Sequence, residues 1–462
     1  LSEQALSLSQ IAGALYGGSF NGSATLPLSD KGKSQLDVSW RQIDVGRLLG
    51  AVDVEPLRGV RSQGTASGRI TAQAEGNPRE PAIWQATTNV NLEGLRVEQA
   101  TVGRVSIDAS LARQVLTVSR IASEGGSVQL NGTATLGLTS PHELAVKVNV
   151  ANADLSLANA LPARFRPPVS VGGRVSLSAD LKGQLDPLRM AGNGDFRASN
   201  VRLDRARFDS LGFTFVAHND VIAISQLAVV AYRGRVDGGI KVPLAEDAEG
   251  ASDLRWQRVN VGGMLTDLRG LAKSSMAATD DPSPLIDALN QARFEGWTWG
   301  NISVHTPAGK LLDPASWTGN IDASLAAARL FGWSAKQGFL RGKIADGRAE
   351  LSRLAIDLDG SRLRGSGRLD LTEPYHFDSN LSLEKLQLAE FNKLPEPIRP
   401  PVKVAGTVNV SMAAQGTLDP LEVTGKGSIT GDALEAGRAR VDHLAIEFGA
   451  QKDRLTLNRF EA

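Results

Sequence analysis

The chain has 462 residues, with 50 basic and 50 acidic side chains, a formal net charge of zero and no cysteine. Charge balance argues against nucleic acid as a main partner, because phosphate binding needs a basic surplus. The missing cysteines exclude disulfides and thiolate metal sites and fit an oxidising compartment.

No apolar run reaches the roughly 18 residues of a membrane span. The longest candidate, 221–232, is broken by Ser225 and Gln226. The first residue is Leu1 and it enters a repeat in mid-phrase, so the chain reads as a fragment of something longer, with any anchor outside it. Glycine is high at 48 and aromatic content low at 5%. That mixture predicts many short strands joined by tight turns.

Along the chain, a phrase of the type "LSLSQI" from Leu6 precedes "GGSFNGSATLPL" from Gly17. The pair recurs as "LTVSRI" and "GGSVQLNGTATLGL", as "IAISQL" and "RGRVDGGIKVPL", and as "AELSRL" and "DGSRLRGSGRLDL". A last "LTLNRF" starts at Leu455. Aligning Gly18, Gly126, Gly234 and Gly360 gives intervals of 108, 108 and 126 (126 − 18, 234 − 126, 360 − 234). The repeat predicts the end of a preceding unit at 1–16 and units at 17–124, 125–232, 233–358 and 359–462.

Within the units, strands alternate. In 174–182, Val175, Leu177 and Leu181 share one face, and Arg174, Ser176, Asp180 and Lys182 the other. The same pattern places Leu144, Val146, Val148 and Val150 together, Val402, Val404, Val408 and Val410 together, and Leu444 with Ile446. Each unit also holds a short apolar segment, such as "DLSLANALP" (154–162), and a Pro-rich crossing. The third unit is longer. There Ser283 can cap a helix, Pro284 suits its first turn, and Leu285, Ala288, Leu289 and Ala292 make a stripe, which predicts a helix at about 284–294.

The expected fold is mainly β: an elongated, curled antiparallel sheet built from about four repeats, a gutter with apolar side chains inside. At about six strands per unit and ~4.8 Å per strand, four units extend on the order of 115 Å. An open trough of that length calls for apolar content, since each buried CH₂ contributes about 0.8 kcal/mol. The thirteen apolar residues named above (Leu144 to Val150, Val175, Leu177, Leu181, Val402 to Val410, Leu444 and Ile446) are the expected lining.

The elements "LDPLxxxGxGxFxxxNVRL" (185–203) and "LDPLEVTGKGSI" (418–429), with "GxLxGxG" strands, resemble the AsmA-like and TamB-like proteins of bacterial envelopes. The resemblance spans most of the chain and is carried by period, Asp-Pro turns and glycine-bounded strands. It implies a periplasmic protein anchored to the inner membrane, with a repeating β-groove linked to phospholipid transport between membranes and to outer-membrane protein assembly. The implied partners are a phospholipid or other acyl-chain lipid, the inner membrane through an N-terminal anchor, and an outer-membrane protein.

Catalytic and metal motifs are weak. His142, His218, His305, His376 and His443 are scattered, with no ligand spacing. Ser382 and Lys385 form an SxxK string inside a predicted strand, without its companion motifs. "GKS" at 32–34 has Pro27 where a phosphate loop needs glycine. Asp186-Pro187 and Asp419-Pro420 read as turn formers. Trp297, Trp299, Trp317 and Trp333 read as core packing, with a belt facing a membrane or partner as the other reading. The expected function is a non-enzymatic lipid conduit without metal or cofactor. The rivals are a passive β-repeat spacer, adhesin-like or a stack of sandwiches, and an assembly scaffold that moves no lipid.

Overall fold

The computed structural model describes residues 5–28, 32–51, 61–77, 80–97, 100–160, 166–167, 170–204, 206–219, 221–244, 248–264, 295–310, 313–330, 333–393, 399–418, 421–451 and 454–462. The helix expected at 284–294 and the turn at 419–420 lie outside them.

The fold is mainly β, a single open antiparallel sheet of 25 strands among the described residues. β1 (Ala5–Leu15) comes first. Six strands lie in 17–124: β2 (Gly18–Pro27), β3 (Lys33–Asp44), β4 (Ser62–Glu75), β5 (Gln85–Val97), β6 (Ala100–Ala112) and β7 (Val115–Glu124). Six lie in 125–232: β8 (Gln129–Gly137), β9 (Glu143–Asp154), β10 (Val171–Leu185), β11 (Leu188–Leu203), β12 (Ala206–Asn219) and β13 (Val221–Ala231). Six lie in 233–358: β14 (Gly234–Pro243), β15 (Gly250–Asn260), β16 (Glu295–Thr306), β17 (Thr318–Leu330), β18 (Trp333–Ala345) and β19 (Arg348–Leu358). The last six are β20 (Ser361–Asp370), β21 (His376–Gln387), β22 (Val404–Leu418), β23 (Leu421–Ala436), β24 (Ala439–Gln451) and β25 (Arg454–Glu461). The strands form two compact units, Leu1–Leu227 and Ala228–Ala462.

The second strand of each repeat ends in one device. Gln42, Asn152, Arg258 and Lys385 each adopt a left-handed conformation, with φ of 55, 57, 51 and 54°. Each lies two residues before the end of its strand, at a register shift or beside one. Such a bulge bends the strand and re-aims the chain beyond it. The strand's last residue then caps a short helix: Asp44 Oδ1 accepts from Arg47 N–H at 2.8 Å, Asp154 Oδ1 from Ser156 N–H at 2.9 Å, and Asn260 Oδ1 from Gly263 N–H at 3.0 Å. The apolar segments read from sequence are these helices: α1 (Val45–Ala51) and 3-10 turns at Leu155–Ala160 and Leu388–Lys393.

The repeat alignment shifts by one residue in the last copy. Gly18 and Gly234 open β2 and β14, and Ser361 opens β20. Gly360 sits in the turn, with φ 79°, as Gly17 does with φ 81°. Left-handed turn positions favour glycine, so the two glycine roles are easily exchanged when sequence alone is aligned.

Contacts between elements run almost entirely between hydrogen-bonded neighbours, and from the short helices onto β4, β10 and β22. Ile43, Val45, Val171, Leu386 and Val408 are buried near those helices, and other buried residues, such as Val105, Ala179, Ala217 and Ala328, are spread along the strands.

Candidate functional site

Residues directly opposite across a ladder share a face. Leu144 faces Gly183, Val146 faces Leu181, Val148 faces Ala179, Val150 faces Leu177, and Val175 faces Ala153. The structure therefore brings the expected residues of β9 and β10 into one half-buried patch, with Glu143, Lys147, Asn149 and Asp180 exposed on the reverse. Val410 lies between Leu383 and Ile429, and Ile429 faces Ile446. Val408 lies between Leu386 and Gly431, and Gly431 faces Leu444. Val404 opens β22 opposite Ala436. Val402 lies just before the strand and is 49% exposed. Pro400 and Pro401 just before it have no N–H to offer a ladder, and pairing starts only at Val404.

Register extends these patches much further. In the first unit the residues Gly13, Phe20, Trp40, Gly68, Val90, Ile107, Ile121, Gly132, Val148, Ala179, Gly194 and Phe215 lie each directly opposite the next. In the second the row is Val236, Trp256, Gly300, Ala323, Leu340, Leu354, Gly365, Leu381, Met412, Gly427, Phe448 and Leu457. Each row crosses twelve strands without a polar side chain.

Glycine has a specific place in these rows. Phe20, Trp40, Phe215, Trp256 and Phe448 each lie over the glycine opposite: Gly13, Gly68, Gly194, Gly300 and Gly427. A methyl on Gly13, Gly68 or Gly427 would stand 2.5–2.7 Å from the ring, and on Gly194 or Gly300 closer still. The ring occupies the space a side chain would take and shields a backbone that would otherwise be open to water. It thus lies along the sheet and keeps the apolar face low. Only the register pairs these glycines with a ring.

In the second unit the apolar face holds a cavity of about 480 Å³. Ile302, Ile321 and Leu351 line it in one row with Gly342 and Gly367. Val304, Ile344, Leu369 and Phe377 line it in the next with Gly319. The glycines interleave with the branched residues and deepen the floor. The volume falls within the roughly 300–1,000 Å³ of small-ligand sites. Periodicity along single strands singles out none of these lining residues.

The reverse face is polar and laced with cross-strand ion pairs, among them Lys147–Asp180 at 3.3 Å, Lys343–Glu350 at 3.1 Å and Asp37–Arg69. The Arg69 guanidinium beside Asp37 holds that carboxyl below its ordinary value. Hydrogen bonds from Gln337 and then Arg362 do the same for Asp357. A concavity of about 840 Å³ lies between polar side chains such as Asn131, Asn149, Lys147 and Asp180. Trp299 and the half-exposed Phe339 also stand on the reverse face, across Ser324. Trp297 carries the Arg258 guanidinium 5.5 Å from its ring centre. Among the described residues no cluster of His, Asp and Glu has metal-site geometry, and no helix is long and apolar enough to cross a membrane.

No protein-family model, no curated protein and no solved structure matches the chain.

Proposed function

We propose that the chain is a non-catalytic, lipid-binding conduit or scaffold of the bacterial cell envelope, of the AsmA-like and TamB-like kind. Its apolar face carries phospholipid acyl chains between inner and outer membranes, and the full protein works in the periplasm from an inner-membrane anchor. The observation that carries this reading is the pair of uninterrupted apolar rows, each crossing twelve strands.

Apolar area left in water costs about 25 cal/mol per Å². An extended hydrocarbon chain matches such a face because it asks for no hydrogen bonds and contacts only side-chain carbon. It also slides without breaking directional contacts, which suits passage along a row.

The test is lipid extraction from protein purified without detergent, read by mass spectrometry, with a photo-crosslinking residue at position 321 or, as control, at 320. Crosslinked phospholipid at 321 and not at 320 is expected. A well-folded preparation free of lipid, unlabelled at both positions, would remove the proposal.

A further inference from the structure

On the reverse face of the second unit, β15 to β19 form a concavity of about 730 Å³. Its residues stand in two rows. Arg255, Asn301, Asp322, Arg341 and Arg353 lie each directly opposite the next. Trp299, Ser324 and Phe339 form the second row, two residues along the strands and so about 7 Å away. Ser324 is small, so the rings of Trp299 and Phe339, two strands or about 10 Å apart, flank a gap. Neither ring stacks on another aromatic among the described residues, and Phe339 is 50% exposed.

Charge is out of balance in this concavity. Elsewhere on the face arginines stand beside carboxylates, as in Arg348–Asp370, Arg362–Asp357 and Arg364–Glu384. Here Arg341 and Arg353 lie directly opposite each other, and like charges so placed cost stability. Asp322 pairs with Arg341, and Arg353 has no ion pair among the described residues. Arg255 faces Asp237, whose carboxylate is bonded to Arg235. Three guanidinium groups thus line the concavity beside one carboxylate that is already paired. An anion between Arg341 and Arg353 would meet two charge-assisted donors and relieve their repulsion. The rings add a second requirement. Aromatic faces beside amide, hydroxyl and carboxylate groups suit a sugar ring, whose C–H face packs on carbon while its hydroxyls donate and accept. Asn301 and Gln257 offer both amide functions, and Asp322 accepts. A nucleotide fits less well, because its flat base brings no hydroxyl to Asp322.

We propose that this concavity binds an acidic saccharide, a sugar ring bearing a carboxylate, with the ring against Trp299 and Phe339 and the carboxylate at Arg341 and Arg353. Hydroxyls of the ring bond to Asn301 and Asp322. The volume falls within the roughly 300–1,000 Å³ of small-ligand sites. The inference stands apart from the lipid reading, because these side chains project from the opposite face of the sheet: Leu340, between Phe339 and Arg341, lies in the apolar row.

The test is calorimetric titration of the whole chain with trisaccharides of glucuronic acid and of galacturonic acid, against glucose and galactose trisaccharides of the same linkage. At least one acidic trisaccharide should bind saturably, at least about tenfold more tightly than its neutral counterpart. Arg353→Gln and Phe339→Ala should each weaken that binding by about tenfold or more, and added salt should weaken it too. Both side chains are exposed, so neither change threatens the fold. Arg362→Gln, on the same face but outside the concavity, should leave binding near the parent value. The proposal is overturned by no saturable binding of either acidic trisaccharide up to about 10 mM, by equal binding of acidic and neutral forms, or by binding that either site variant leaves unchanged. Tighter binding of AMP or of inorganic phosphate than of both acidic trisaccharides would overturn it in favour of a nucleotide or a simple anion.

Discussion

Asn159 holds Val171 by both of its main-chain polar groups: Nδ2–H donates to Val171 O at 2.7 Å, and Oδ1 accepts from Val171 N–H at 2.9 Å. The same clamp recurs 233 residues on (392 − 159, 404 − 171). There Asn392 Nδ2–H donates to Val404 O at 2.8 Å and Oδ1 accepts from Val404 N–H at 3.0 Å. A side-chain amide has the donor and acceptor of a peptide group, so each asparagine stands in for one residue of a neighbouring strand. It satisfies the first residue of β10 or β22 where the chain returns from its Pro-rich crossing. Asn159→Ala should leave both main-chain groups of Val171 without that partner and cost about 1–3 kcal/mol. Asn392→Asp keeps the acceptor and loses the donor. Chemical denaturation and amide exchange at Val171 and Val404 measure both effects, with protection lost locally before the rest of the sheet.

Gly300 tests the ring-over-glycine arrangement. Its added methyl in Gly300→Ala would collide with the Trp256 indole and with Asp322 O. Lifting the ring also breaks the Trp256 Nε1–H to Thr298 Oγ1 hydrogen bond of 3.2 Å. The variant should lose about 1–3 kcal/mol. A red shift in tryptophan emission should accompany the loss, because the indole turns toward water. Gly17→Ala is the contrasting case: nothing lies within 4 Å of the added methyl, and the cost comes only from the backbone at φ 81°, about 1 kcal/mol.

Neighbouring residues on one strand give paired tests of the lipid proposal, because period two puts them on opposite faces. Ile321→Asp places a carboxylate in the apolar cavity, and Asn320→Asp places the same charge on the reverse face. Binding of a fluorescent fatty acid should fall at least about tenfold in the first and stay near the parent value in the second. Leu177→Asp and Ser178→Asp form the corresponding pair on β10.

Two carboxylates of the polar face contribute to the acid response. Arg69 lowers the Asp37 carboxyl from its ordinary value, and Gln337 and then Arg362 lower that of Asp357. A lowered carboxylate value contributes stability above the unfolded-state value, and that contribution is lost as pH falls through the folded-state value. Melting temperature should therefore show no loss from this source between pH 7 and about 5, and should decline below about 4. Asp37→Asn should remove part of that decline, measured by a thermal melt at each pH.

The strands, their two faces and the repeat were legible in the primary structure, because alternation and turn residues act over a few neighbouring positions. Leu144 to Val150 and Leu177 to Leu181 share a face for that reason alone. The rows of twelve, the ring seated on Gly300 and the cavity around Ile321 were not legible. They join residues from adjacent strands whose relative offset depends on bulges such as those at Gln42 and Lys385. One inserted residue at a bulge changes which side chain faces which across the ladder, and nothing in the alternation of a single strand reports that offset. Local sequence thus decided which faces are apolar, while only strand pairing in three dimensions decided how those faces join and where they open.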